Sequence, residues 1–175
     1  MIEEQVKQTI RDVPDFPKEG IVFKDITPIL QKPELCKSII DEFEKNIKNW
    51  EVDVIIGIES RGFLFGPELA MRINVPFVPV RKKGKLPYKT VSIKYGLEYG
   101  EAEIEMHIDA IKEGSRVLIH DDLLATGGTA EAAAKLVKQQ NAEITGYLFL
   151  VDLTFLKGTD LLKKYTDNIY SLVKY

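Results

Sequence analysis

Val117-Leu118-Ile119-His120-Asp121-Asp122-Leu123-Leu124-Ala125-Thr126-Gly127-Gly128-Thr129-Ala130 decides the fold and locates a site. Val117, Leu118 and Ile119 are apolar and partly β-branched, as a buried parallel strand requires. Asp121 and Asp122 follow at the carboxyl end, where open α/β sheets place their ligands. Ala125-Thr126-Gly127-Gly128-Thr129 then leads into residues 130–137, rich in alanine and strongly helix-forming. Glycines let the backbone turn tightly and approach a ligand with no Cβ in the way. Their N–H groups, with the positive end of the helix dipole, can wrap a phosphate. Thr126 and Thr129 add hydroxyl donors. The two carboxylates repel a phosphate, so they face something else, and sugar hydroxyls, which donate to carboxylate oxygens, fit best. The plainer reading is an acidic turn followed by a helix start. A phosphorylated ribose accounts for all the features in their order. No G-x-x-x-x-G-K-[ST] occurs, and no G-x-G-x-x-G follows a strand.

The same logic recurs upstream. Residues 52–58 read as a central strand, Glu59-Ser60-Arg61-Gly62 as a loop at its carboxyl end, and residues 63–73 as a helical run. A second anion site is the functional reading, and pairing of Arg61 with Glu59 or Glu68 is the plain one. Residues 75–80 form another short strand, with prolines marking an end or irregularity. It runs into Arg81-Lys82-Lys83-Gly84-Lys85-Leu86-Pro87-Tyr88-Lys89, five cations in nine residues. Such a run is ordinarily a solvated face, but here it adjoins two candidate anion loops.

Outward from these loops, residues 33–50 read as a helix with Leu35, Ile39, Ile40, Phe43 and Ile47 on one stripe and Pro33 in the first turn. Ile2, Val6 and Ile10 suggest a short N-terminal helix, broken by Pro14, Pro17 and Gly20. Residues 90–105 carry β-type residues with two glycines and fit a two-stranded flap better than a core element. Residues 144–151 read as a further central strand and 169–173 as a last, edge strand. Trp50 and Cys36 read as core packing. His107 is expected at an exposed position before a turn. His120 stands where an apolar residue is expected; it is either a satisfied semi-buried histidine or a group touching the acidic pair. Alternation of short strands and helices gives an α/β domain with a mostly parallel sheet.

The 175 residues suit one domain, and 45% hydrophobic with 29% charged residues is ordinary for a globular protein. A net charge of −3 argues against general nucleic-acid binding. One cysteine cannot form an internal disulfide, the N-terminus resembles no signal peptide, and apolar runs fall short of a membrane span, so a cytoplasmic location is expected. Two histidines and one cysteine offer no zinc site and no Cys–His nucleophile pair.

Asp121-Asp122-Leu123-Leu124-Ala125-Thr126-Gly127-Gly128-Thr129 resembles the signature of the type I phosphoribosyltransferases, and their adenine-using branch in particular. Phe16-Pro17-Lys18-Glu19-Gly20-Ile21-Val22-Phe23-Lys24-Asp25-Ile26-Thr27-Pro28-Ile29-Leu30 resembles the family's hood, placed here at about residues 13–30. Leu97-Glu98-Tyr99-Gly100 resembles its flexible catalytic loop, at about residues 88–105. The resemblance implies a type I phosphoribosyltransferase fold: a mostly parallel sheet flanked by helices, with hood and flexible loop. It implies that 5-phosphoribosyl 1-pyrophosphate (PRPP) is bound with Mg²⁺ and that its phosphoribosyl group passes to adenine, giving AMP and pyrophosphate.

By that resemblance Ala125, Thr126, Gly127, Gly128 and Thr129 anchor the 5-phosphate, and Asp121 and Asp122 hold the ribose hydroxyls and favour the developing cation. Glu59, Ser60, Arg61, Arg81, Lys82 and Lys85 form the pyrophosphate region, with a cis peptide between Glu59 and Ser60. Val22 bonds adenine through its main chain, while Phe23 and Leu123 take the two faces of the ring. Glu98 points toward the base nitrogen or the leaving group, and Tyr99 helps close the lid. No residue ligates Mg²⁺ directly; the ion travels on PRPP. Arg81 reaches a partner subunit's site, so a homodimer is expected. The readings left open are transfer to another base (guanine, hypoxanthine, xanthine or orotate) and a PRPP-sensing regulator without catalysis.

Overall fold

The computed structural model describes residues 1–96 and 100–175. In chain order the elements are α1 (Ile2–Thr9), β1 (Arg11–Pro14), β2 (Val22–Asp25), α2 (Pro33–Ile47), β3 (Val54–Ile58), α3 (Gly66–Arg72), β4 (Phe77–Lys82) and β5 (Thr90–Gly96). They continue with β6 (Glu101–His107), β7 (Arg116–Leu124), α4 (Gly128–Gln139), β8 (Glu143–Asp152), α5 (Gly158–Leu162) and β9 (Ile169–Lys174).

Strands that are apolar on both faces take the middle of the sheet. All five residues of β3 are buried, and Val117 to Ile119 of β7 are wholly inaccessible. The main sheet has seven strands in the order β5-β6-β4-β3-β7-β8-β9. Neighbours from β4 through β9 in that order are parallel, apart from β6, which joins β4 and β5 antiparallel. β9 lies at one edge, as its late position and mixed burial imply.

Helices cover both faces. Ala130, Ala133, Ala134, Leu136 and Val137 of α4 pack with Ile56, Ile119, Tyr147 and Phe149 on one side. The apolar stripe of α2 packs with Val6, Leu69, Leu118 and Leu148 on the other. Alanine on α4 brings the helix close to the sheet at little entropic cost.

Several boundaries differ from the sequence reading. Residues 61–63 form a 3₁₀ turn, so the helix after β3 begins only at Gly66. Residues 90–105 are not a detached flap, because β6 pairs with β4 and buries Ile104 and Met106 in the core. His107 is half-buried against Tyr88, with ring centroids 6.1 Å apart, rather than exposed before a turn. The 13–30 segment contributes β2 and pairs it with β1, forming a two-stranded sheet separate from the main one.

Gly57 shows how closely the site-bearing strands approach. A Cβ there would lie 2.4 Å from the Phe77 ring and 2.8 Å from the Gly62 carbonyl oxygen. Gly57→Ala is therefore expected to destabilise the fold by about 1–3 kcal/mol, the usual cost of overpacking. Urea unfolding of the two proteins measures the difference.

Candidate active site

The chain crosses the sheet in two directions from β3. β4 lies beside β3 on one side and β7 on the other, so the connections leaving the carboxyl ends of β3 and β7 diverge. The first leads to α3 on the α2 face, and the second to α4 on the opposite face. A crevice opens between two such ends, and open α/β sheets bind ligands there.

β7 brings Asp121 and Asp122 into that crevice. Asp122 is 2% exposed, and its backbone N–H donates to Asp121 Oδ1 at 2.8 Å. Arg61, from the loop after β3, places Nε 3.2 Å from Asp122 Oδ2. The contact is an ion pair without hydrogen-bond alignment, since Asp122 Oδ2 has no hydrogen-bond partner. Arg61 thus pairs across the crevice with Asp122 and not with Glu59 or Glu68, the pairings the plain reading offered. Burial drives the Asp121 carboxyl well above the ordinary range, and the neighbouring Asp122 charge adds to the effect. Burial also raises Asp122, against the opposing pull of Arg61.

The loop after β7 completes the cavity. Gly127 has φ +87° and caps α4, a left-handed conformation that a side chain would strain. A Cβ on Gly127 would also lie 2.9 Å from the Gly158 carbonyl oxygen, so the loop is pressed against the start of α5. Arg61, Asp121, Asp122, Leu123 and the loop from Ala125 to Thr129 line one cavity of about 210 Å³. The acids and the glycine bend at the start of α4 thus share one lining.

A second, larger hollow of about 860 Å³ shares Ala125, Thr126, Gly128 and Thr129 with the first and extends to Val22, Leu153, Phe155 and Tyr175. The β1–β2 hairpin forms part of its wall. Phe23 lies under the Arg61 guanidinium at 5.2 Å and meets Phe16 edge-on at 5.2 Å. Val22 is half exposed, at 51%, and lines the larger hollow.

The Glu59–Ser60 peptide is cis. Glu59 accepts hydrogen bonds from the Lys82 N–H at 2.8 Å and from Arg81 at 3.2 and 3.3 Å. Burial alone would raise its carboxyl, but these donors hold it below the usual range. Its side chain therefore ties the β3 loop to the basic run. Arg81, Lys82 and Lys85 gather around it and do not line the cavity of the acidic pair. Glu98 and Tyr99 lie outside the described residues.

One organising residue escaped the sequence reading. Glu105, 2% exposed, accepts N–H bonds from Gly84, Lys85 and Leu86 at 2.9, 3.0 and 3.0 Å. Burial opposes its ionisation, yet these donors hold its carboxyl below the ordinary range. It shapes the basic loop from beneath. The signal was an acid inside Ile104-Glu105-Met106, a stretch of otherwise apolar strand residues.

The family model described as the phosphoribosyl transferase domain matches residues 25–169. Fold and cavity together agree with that class, the phosphoribosyltransferases. An adenine phosphoribosyltransferase from Cytophaga hutchinsonii is 52% identical over 175 residues, spanning 100% of this chain and 97% of the relative. The crystal structure of the adenine phosphoribosyltransferase from Thermoanaerobacter pseudethanolicus matches with a TM-score of 0.95 at 49% identity, covering 100% of both chains. That of Saccharomyces cerevisiae, complexed with D-2,5-dideoxy-2,5-imino-altritol 1,6-bisphosphate and adenine, matches with a TM-score of 0.90 at 43% identity over 98% of each chain. Within the class, the chain belongs to the adenine phosphoribosyltransferase family.

His120, just before the acids, resolves in favour of the core. It is fully buried, its Nδ1 pairs with the Leu148 carbonyl at 2.9 Å, and its ring meets Phe43 edge-on. Burial pushes its pKa down to about 4 from an ordinary 6.5. The unfolded chain therefore binds this proton below pH 6.5, while the folded chain refuses it until about pH 4. Stability from this group is complete above pH 6.5 and is lost as pH falls toward 4. Urea titrations of wild type and His120→Leu should differ least in their favour toward wild type at low pH. The gap is expected to change by on the order of 3 kcal/mol between pH 7 and pH 4. A gap that stays constant with pH contradicts the assignment.

Proposed function

We propose that this chain transfers the 5-phosphoribosyl group of PRPP to adenine, releasing AMP and pyrophosphate. The observation that carries the reading is one small cavity lined together by Asp121, Asp122, Arg61 and the glycine bend of Gly127 and Gly128. The bend and the Thr126 and Thr129 hydroxyls take the 5-phosphate at the start of α4. The carboxylates of Asp121 and Asp122 accept hydrogen bonds from the 2- and 3-hydroxyls of the ribose.

The bond between C1 and the pyrophosphate oxygen breaks while positive charge grows on the ribose ring. The buried carboxylates stabilise that charge more strongly than they could in water. Arg61 and the Ser60 backbone, with Arg81, Lys82 and Lys85 positioned through Glu59 and Glu105, neutralise the departing pyrophosphate. Adenine, held between Phe23 and Leu123 with Val22 supplying main-chain hydrogen bonds, attacks C1 from the other face. Its electron pair forms the new C–N bond as the C–O pair leaves with pyrophosphate, and the imidazole N–H proton lost by adenine passes to the departing pyrophosphate. Positioning and charge complementarity supply most of the acceleration, because the protein forms no bond to the sugar. By the family resemblance, Glu98 is directed toward the base nitrogen or the leaving group and Tyr99 toward closing the lid.

Asp121 and Asp122 are hard oxygen donors, the kind Mg²⁺ prefers, but Arg61 already approaches Asp122 Oδ2. The residues fit an ion brought with PRPP, which Asp121 and Asp122 would help to hold beside the pyrophosphate. When bound, Mg²⁺ supplies charge neutralisation of the pyrophosphate. A homodimer is part of the same reading, supported by the family resemblance that takes Arg81 to a partner subunit's site. A cytoplasmic location is supported by the single cysteine, Cys36, which has no partner within the chain.

Asp122→Asn keeps the shape and removes the charge. AMP synthesis from PRPP and adenine should fall at least about 100-fold in kcat/KM, the scale of losing one transition-state stabiliser. Guanine, hypoxanthine, xanthine and orotate should release no pyrophosphate from PRPP in the wild type. Near-normal kcat/KM in Asp122→Asn, or turnover with another base in preference to adenine, contradicts this reading.

A further inference from the structure

The β1–β2 hairpin forms its own two-stranded sheet and shares no ladder with the main one. If Val22 and Phe23 of β2 hold the base, the hairpin's distance from the ribose cavity must be fixed by side-chain contacts. Its internal ion pairs do not fix it. Asp12 accepts from Lys24 Nζ at 2.7 Å, and Asp25 meets Arg11 at 3.8 Å, but all four residues belong to the hairpin itself.

Among the described residues two ring contacts cross: the Arg61 guanidinium over Phe23 at 5.2 Å, and a closer one at the next residue of the strand. The Lys24 ammonium sits 3.9 Å from the centroid of the Tyr175 ring. The Lys24 side chain is only 14% exposed, and its ammonium lies between Asp12 Oδ1, at 2.7 Å, and the ring face. The ring in turn stands on fixed backbone. Tyr175 N–H donates to the Asp152 carbonyl at 3.0 Å, and Thr154 N–H donates to the Tyr175 carbonyl at 3.0 Å. Both partners adjoin the carboxyl end of β8, next to the strand that carries the acidic pair. Lys24, Tyr175 and Val22 line the same hollow as Thr126 and Gly128.

We infer that Tyr175 is a positioning residue for the base, its ring holding the Lys24 ammonium and thereby setting the distance from β2 to the ribose cavity. This rests on the function proposed above. It assigns to a ring on β8's flank, outside the phosphate and sugar cavity, control over adenine and not over PRPP.

The test uses the full chain and four variants: Tyr175→Leu, Tyr175→Phe, Lys24→Met, and Tyr175→Leu with Lys24→Met. Adenine KM is measured at saturating PRPP, and PRPP KM at saturating adenine. Tyr175→Leu and Lys24→Met should each raise adenine KM about 5- to 30-fold, the range for a partly desolvated cation–ring contact. PRPP KM should stay within about twofold, Tyr175→Phe should behave as wild type, and the double variant should be no worse than the poorer single one. An unchanged adenine KM in Tyr175→Leu, an equal rise in both KM values, or additive effects in the double variant would each overturn the inference. Additivity would mean the ring touches the base on its own account.

Amide hydrogen exchange over residues 11–25 reads the tether with no substrate present. Exchange should be faster in Tyr175→Leu and wild-type in Tyr175→Phe; unchanged exchange in Tyr175→Leu overturns the tether. A wild type that makes no AMP from adenine and PRPP would instead defeat the proposed function, leaving the exchange result to decide the tether.

Discussion

Two adjacent carboxylates are held out of water at the end of a central strand, with one arginine across the crevice. Nothing in folding favours this. Burial penalises each charge, and proximity penalises the second charge further, which is why both carboxyls of Asp121 and Asp122 are displaced upward. An ion pair to a guanidinium that is itself 38% exposed recovers only part of the cost. Such an arrangement persists when a ligand uses it. Under the proposed function, sugar hydroxyls would supply the missing donors, and a positively charged transition state the missing counter-charge.

The rest of the chain makes that arrangement possible. β3 and β7 must lie side by side for Arg61 to reach Asp122, and Gly57 and Gly62 lack side chains where the strands and the 59–62 loop come together. Gly127 and Gly158 let two backbones meet beside the 125–129 bend. Glu59 and Glu105 act as internal anions that fix the basic run, one by pairing with Arg81 and the other by collecting N–H groups. Glu105 is buried and Glu59 is half-buried, and donors converging on each hold its carboxyl below the usual range despite the cost of desolvation.

What was legible in the sequence was local. The strand, acids, bend and helix of residues 117–137 occur within one stretch, and spacing alone places them on one edge of the sheet. The α2 stripe and the buried β3 were readable for the same reason, since periodicity reports which face is covered. The misreadings were of partners far apart in the chain. Alternating residues at 90–105 suggest a flap, and only the pairing of β6 with β4 shows that they extend the sheet. Glu105 and His120 look out of place until the loop N–H groups and the Leu148 carbonyl are found beside them. The meeting of Lys24 with Tyr175, separated by most of the chain, leaves no local signature at all.

The central claim is that the acidic pair reads ribose hydroxyls while the bend reads phosphate, in one cavity. Isothermal titration with ribose 5-phosphate and with 2-deoxyribose 5-phosphate, on wild type and on the Asp121→Asn, Asp122→Asn double variant, tests it directly. Wild type should bind the full sugar roughly tenfold more tightly, the worth of a charge-assisted hydrogen bond, and the double variant should lose that preference while still requiring the phosphate. Equal binding of the two sugars by wild type, or a preference that survives in the double variant, would contradict the account.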